Sequence, residues 1–280
     1  MPCPLCDDTG WKPVEENGVG GVVRCDCWRE HVGRQRLADA NIPKRYQHCT
    51  IENFTTYNGS LERAAAEARR LADRFPAVTK GLFLEGQPGV GKTHLAVAVL
   101  KQVVSATAAR GLFYDTRDLL RVIRSTYEPS IRTTELEILG PVMKADLLVL
   151  DDLGAEKTSE WVEETMNLIV NRRYSERRLT IFTSNYPDIP DETEPNSLLF
   201  RIGVRMRSRL HEMCEFLVMD AADYRERPEN ASAEDLVAMW RMRRKALPPR
   251  TGRQARAQLR EGAVRDGRAD LKWPGGRAGS

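Results

Sequence analysis

No stretch of the 280-residue chain approaches the roughly 20 apolar residues that a membrane span requires, so a helical membrane protein is not expected. The opening residues Met1-Pro2-Cys3-Pro4-Leu5-Cys6 lack a basic segment followed by an apolar one, so they do not read as a secretory signal. A cytoplasmic, reducing setting is the expectation, and there clustered cysteines point to metal rather than to disulfides. No internal repeat is present, which sets aside solenoids and repeat arrays. Among the histidines, His48, His94 and His211 fall in no ligand pattern.

What is present suits one substantial core with small appendages: 41% of residues are apolar and 30% charged. The net charge of +3 is unevenly spread, with twelve Lys/Arg against three Asp/Glu in residues 241–280 and an acidic balance of −6 before them. Residues 247–280 also carry Pro and Gly with few large apolar side chains, and read as a disordered basic tail. Two readings of that tail stand, attraction to nucleic acid and a plain solvated end.

Short apolar runs without polar alternation mark five buried strands: Gly81–Leu84, Gly111–Tyr114, Ala145–Leu150, Leu179–Thr183 and Glu215–Met219. Helical stretches lie between them. Trp161 to Tyr174 spaces Trp161, Val162, Thr165, Met166, Ile169 and Val170 on a helical period, with Thr158 or Ser159 as N-cap. Alternating strands and helices predict an α/β fold with a parallel sheet covered on both faces.

The sequence Gly86-Gln87-Pro88-Gly89-Val90-Gly91-Lys92-Thr93 follows the first strand and opens a helix, the context in which a glycine-rich loop surrounds phosphate oxygens with backbone N–H groups. The expected ATP-binding set is Gly86, Pro88, Gly89, Val90, Gly91, Lys92, Thr93 and His94. Lys92 is expected to reach the β- and γ-phosphates and Thr93 to place its hydroxyl on Mg²⁺. The third strand runs into Asp151-Asp152, an acidic tip of the Walker B kind. Asp151 is the expected Mg²⁺ partner, and Asp152 stands where an acid orients the attacking water. The fourth strand ends in Thr183-Ser184-Asn185, with Asn185 the first candidate for contact with the γ-phosphate and Ser184 in reserve. Arg205, Arg207 and Arg209 form either a solvated helix face or a reach toward a neighbouring subunit's ATP. Arg117, Arg121 and Arg124 share one helix face, which fits contact with single-stranded phosphates or simple solvation.

These motifs, in this order and spacing, resemble the AAA+ ATPases of the DnaC/IstB group. Ile42-Pro43-Lys44-Arg45-Tyr46 and Glu52-Asn53-Phe54 look like that group's lead-in segment, and Asp223-Tyr224-Arg225 like its closing motif. The resemblance covers about residues 40–226. It implies a five-stranded parallel sheet with the Asn185 strand between the two Walker strands. It also implies Asn185 as sensor 1, Arg209 as an arginine finger acting on a neighbour's site, and Arg225 as the sensor 2 contact. The implied function is loading of a DnaB-like replicative helicase, with single-stranded DNA bound and the chain self-associating into a ring or spiral. The alternative within the group is an IstB-like transposition helper acting on duplex DNA. Many AAA+ proteins carry Glu at the Asp152 position. The shorter Asp here implies slow hydrolysis.

Cys3-x-x-Cys6 and Cys25-x-Cys27 form two close pairs able to close a tetrahedral Zn²⁺ site, with Asp8-Thr9-Gly10-Trp11 as a turn between them. Metal would fold so short a segment. His31 is a dispensable competitor, and Cys49 and Cys214 read as buried thiols. The expected organisation is a zinc module at 1–30, a helical linker and lead-in at 31–80, the ATPase core at 81–226, a helix at 227–246 and the tail at 247–280.

Overall fold

A computed structural model describes residues 3–16, 19–128, 132–157, 159–228 and 231–246. The expected basic tail and the N-cap candidate Thr158 lie outside them.

Five strands, β3 (Gly81–Glu85), β4 (Gly111–Asp115), β5 (Leu147–Asp151), β6 (Leu179–Ser184) and β7 (Cys214–Val218), form one parallel sheet in the order β4-β5-β6-β3-β7. Each lies within two residues of its expected run. The three central strands β5, β6 and β3 are buried throughout, which is why β5 and β3 are apolar up to their acidic last residues, while the buried hydroxyls of β6, Thr180, Thr183 and Ser184, are each hydrogen-bonded. The edge strands β4 and β7 are only partly covered, a departure from the expectation that all five are buried. At an edge, one side of the strand has no neighbour to cover it.

Side chains alternate across the sheet and build a core on each face. Leu82, Leu84, Leu147, Val149 and Ile181 face α2 (Gly59–Arg74) and α3 (Lys92–Thr107). Phe83, Leu148, Leu150 and Phe182 face α4 (Thr116–Ser125), α5 (Glu135–Lys144), α6 (Glu160–Ser175) and α7 (Leu198–Met213). Ser159 is the N-cap of α6 and accepts from the Val162 N–H. Helix α7 is broken at Gly203, whose φ of +77° is not helical.

Ahead of the sheet, β1 (Trp11–Glu16) and β2 (Val19–Arg24) pair antiparallel and lead into α1 (Asp26–Ala38). Helix α1 takes Cys25 as its N-cap, carries Cys27 in its first turn and continues to Ala38, so the cysteine-bearing segment and the linker share one helix. The final helix, α8, spans Ala233–Ala246. Among the described residues, no helix is long and apolar enough to cross a membrane.

Parallel register brings the carboxyl ends of the strands to one edge. Asp115 pairs with Asp151 and Glu85 with Ser184. The loops after β3, β4, β5 and β6 therefore meet in one place, the position at which open parallel sheets bind ligands.

Candidate functional site

At that edge lies a cavity of about 730 Å³ lined by Pro88, Gly89, Val90, Gly91, Lys92, Thr93 and His94 from the loop after β3 and the start of α3. The acids Asp151 and Asp152, with Thr183 and Asn185, line it from the tips of β5 and β6. Two glycines are there for steric reasons. Gly89 has φ +79° and a Cβ on it would overlap the Asp223 carboxylate, while Gly91 has φ +97° and a Cβ would run into the Phe54 ring. The lead-in and closing segments are thereby packed directly on the loop, and the Tyr224 N–H donates to Gly89 O at 3.0 Å.

The expected residues are bonded to one another. Lys92 Nζ donates to Gly86 O (2.8 Å), Gln87 O (2.9 Å) and Asn185 Oδ1 (2.7 Å). Asn185 Nδ2 in turn donates to Asp152 Oδ1. Thr93 Oγ1 donates to Asp151 Oδ1 at 2.9 Å. Ser184, the reserve candidate, is fully buried and donates to Leu153 O, so it has no access to the cavity.

Thr183 and Arg117 complete this network and were not singled out as ATP-site residues by sequence reasoning. Thr183 Oγ1 donates to Asp151 Oδ1 at 2.6 Å and accepts from the Asp152 N–H at 2.9 Å, so it fixes both acids. Arg117 Nη2 lies 3.2 Å from Asp152 Oδ2. The expected arginine face on α4 is therefore largely engaged within the chain: Arg117 meets Asp115 and Asp152, Arg121 meets Asp118, and Arg124 stacks over Trp161. Asp152 holds φ +60°, a left-handed turn that aims its carboxylate back across the strand tips.

Burial sets the electrostatics. Desolvation lowers Lys92 to about 8 although Asp151 and Asp152 pull the other way. Desolvation also pushes Asp151 up to about 6, against the hydrogen bonds from Thr183 and Thr93. Asp152 is raised by burial and held back by Arg117. One wall is thus cationic and rich in N–H donors, and the opposite wall offers hard oxygen donors. That pairing suits a polyphosphate with a divalent cation. Thr93 Oγ1 and the Asp151 carboxylate are the oxygens fitted to the cation, which takes carboxylate and hydroxyl ligands.

The three candidate arginines on α7, Arg205, Arg207 and Arg209, part company. Arg207 is held by a bidentate pair with Asp188, at 2.5 and 2.9 Å, and His211 Nε2 approaches the same carboxylate at 2.9 Å. Arg209 lies outside the cavity, and its Nη1 donates to Arg205 O. Arg225 lines the cavity.

The four sulfurs of Cys3, Cys6, Cys25 and Cys27 lie within 4.8 Å of one another. Tetrahedral Zn²⁺ with Zn–S of about 2.3 Å sets sulfurs about 3.8 Å apart, so the thiols fit that ion. His31 is exposed and no part of the cluster. Cys49 and Cys214 are buried, as expected. His48 and His94, which fall in no ligand pattern along the sequence, converge in space with Cys49 into a second group of potential ligands. The His48-Cys49 pair stands far from His94 in sequence, so no local spacing announces the group.

Comparison with known proteins agrees with this geometry. A family model described as IstB-like ATP binding protein matches residues 26–232. The replicative helicase loader DnaC of Escherichia coli (strain K12) is 29% identical over 149 residues, which is 52% of this chain and 59% of the relative. The replicative helicase loader DnaI of Bacillus subtilis (strain 168) is 29% identical over 152 residues, 54% of this chain and 47% of the relative. The chain thus spans about half the length of the curated relatives it matches, from 47% to 59%. A crystal structure of the DnaC helicase loader superposes with a TM-score of 0.56 at 36% identity, covering 63% of this chain and 99% of that one.

Proposed function

The chain belongs to the family of IstB-like ATP-binding proteins, and on that footing we propose that it is an AAA+ ATPase that loads a replicative helicase onto single-stranded DNA. The observation that carries the catalytic half is the unbroken chain of hydrogen bonds from Lys92 through Asn185 to Asp152, beside the Thr93–Asp151 bond. The resemblance to DnaC and DnaI supports the loading half.

In this reading the loop from Gly86 to His94 holds the triphosphate, with Lys92 as its charged contact. Thr93 and Asp151 hold Mg²⁺, which supplies charge neutralisation at the phosphates. Asp152 receives the proton of the attacking water, and Asn185 orients it. Arg225 contacts the nucleotide from the closing motif of the same chain. Arg209, lying outside its own chain's cavity, serves the site of a neighbour in a ring or spiral, so turnover depends on assembly. The engagement of Asp152 by Arg117 and Asn185 leaves a short acid doubly held, in keeping with slow hydrolysis. The four N-terminal cysteines would hold Zn²⁺, which would supply the cross-link that folds the module proposed to grip the helicase.

Measuring ATP binding and turnover with helicase and with each form of DNA tests the proposal. Lys92→Ala should abolish ATP binding, and Arg209→Ala should leave binding intact while removing assembly-dependent hydrolysis. Retained affinity in the first or an unchanged rate in the second discards the corresponding role. Preference for duplex DNA without helicase binding would favour an IstB-like transposition helper instead.

A further inference from the structure

We propose that His48, Cys49 and His94 form a second transition-metal site, separate from the four-cysteine cluster, that binds Zn²⁺ through two imidazoles and one thiolate. One ligand atom from each residue lies within 4.8 Å of the others. Cys49 Sγ and His48 Nε2 are 3.9 Å apart. A tetrahedral zinc with Zn–S of about 2.3 Å and Zn–N of about 2.0 Å sets sulfur and nitrogen about 3.5 Å apart, so these two need move only slightly.

The third ligand has its tautomer set. His94 Nε2 lies 2.9 Å from Thr50 O, and a carbonyl only accepts, so Nε2 carries the proton and Nδ1 keeps its lone pair. A ring N–H fixed on a backbone carbonyl is the outer-shell arrangement that metal-binding histidines use.

The loop that presents His48 and Cys49 is tied on several sides. Lys101 Nζ donates to Gln47 O and, at 2.8 Å, to Cys49 O. Asn53 Nδ2 donates to His48 O at 2.8 Å, and Asn53 Oδ1 accepts from the Thr50 N–H at 2.9 Å. Little ordering remains to be done when an ion arrives, which favours affinity.

Cys49 is 1% exposed while His48 is exposed, and all three residues line the 730 Å³ cavity. The set is therefore three protein ligands with a fourth position facing open space, the ligand count of a site that keeps a place for water or another donor. A thiolate with two imidazoles suits zinc and its first-row neighbours rather than magnesium or calcium. The competing use of the same side chains is aromatic packing: His48 meets His94 edge-on at 6.2 Å, and His94 tilts on Phe54 at 5.5 Å. His94 also ends the loop assigned to the triphosphate, so the test is made at His48 and Cys49, which lie outside that loop, and it reads metal content rather than ATP binding.

Equilibrium dialysis of the full chain against Zn²⁺, with metal counted per chain, separates the two uses. Wild type should hold one equivalent more than His48→Gln and than Cys49→Ser. After loading with Co²⁺, both variants should lose one component of the visible spectrum. His48 is exposed, so its variant keeps the test valid if Cys49→Ser is poorly folded. Equal zinc content and superimposable cobalt spectra in wild type and His48→Gln would overturn the site.

Discussion

At the tip of β5 a carboxylate suited to a cation sits where burial pushes its pKa up to about 6. Two hydroxyls donate to Asp151, and they do not offset its desolvation. The unfolded chain titrates this group at 3.8, so between 3.8 and about 6 the folded state binds more protons than the unfolded one. Metal-free stability should therefore fall as pH rises through that window and then level off. Two units correspond to about 3 kcal/mol at most. Asp151→Asn keeps an acceptor for Thr93 and Thr183 without the charge. It should match wild type near pH 4 and exceed it by about 1–3 kcal/mol at pH 7, while losing Mg²⁺-dependent turnover. Urea unfolding at several pH values checks this, and a gap that does not open with pH would refute the assignment.

Lys92, Thr93, Asp151 and Asp152 were legible in the sequence because their spacing is local: a glycine loop before a helix, an acid after four apolar residues. Thr183 and Arg117 were not read as parts of the ATP site. A threonine near a strand end looks like any β-branched residue, and only the parallel register of β5 against β6 sets it against Asp151.

Among the elements, α6 is tied to the sheet by a buried cation without a carboxylate. Arg173, 1% exposed, donates to Thr180 Oγ1 at 2.9 Å and to Val142 O, Ala145 O and Leu179 O at 2.8, 3.0 and 2.6 Å. It thereby joins α6, the end of α5 and the start of β6. Desolvation brings its pKa down to about 9, so it still carries its charge at neutral pH. Arg173→Met fills similar space but leaves several buried carbonyls unpaired, each worth about 1–3 kcal/mol, so a loss of about 3 kcal/mol or more is expected in urea unfolding. A loss below about 1 kcal/mol would show that those carbonyls find other partners.

The sheet strands were readable because burial at the centre of the sheet concentrates apolar residues into short runs, most plainly in β3 and β5, and the β1–β2 hairpin was not. Its strands, WKPVEE and VGGVVR, mix charge and glycine with apolar residues, and its core is four thiols rather than hydrocarbon. Zinc chelation should accordingly deprotect backbone amides in Trp11–Arg24 while leaving β3, β5 and β6 unchanged. Hydrogen exchange with and without chelator tests it. Uniform protection in both states would mean the hairpin stands without metal.

At the scale of the whole molecule, the charge is divided. Residues 1–240 carry a net of −6 and the last forty residues +9. Much of the folded basic surface is paired internally, as on α4, where Arg117 and Arg121 face Asp152 and Asp118. Non-specific attraction to a polyphosphate strand should then come chiefly from residues 247–280, whose eight Lys/Arg and three Asp/Glu give +5. Removing them should weaken binding to single-stranded DNA most at low salt. It should also flatten the plot of log affinity against log salt by up to about 3, because fewer counterions are released. ATP binding, which depends on groups within 86–225, should be unaffected. A tail-less chain with the same affinity and the same salt slope would move DNA contact into the folded part, and Arg121→Ala would then be the variant to lose it.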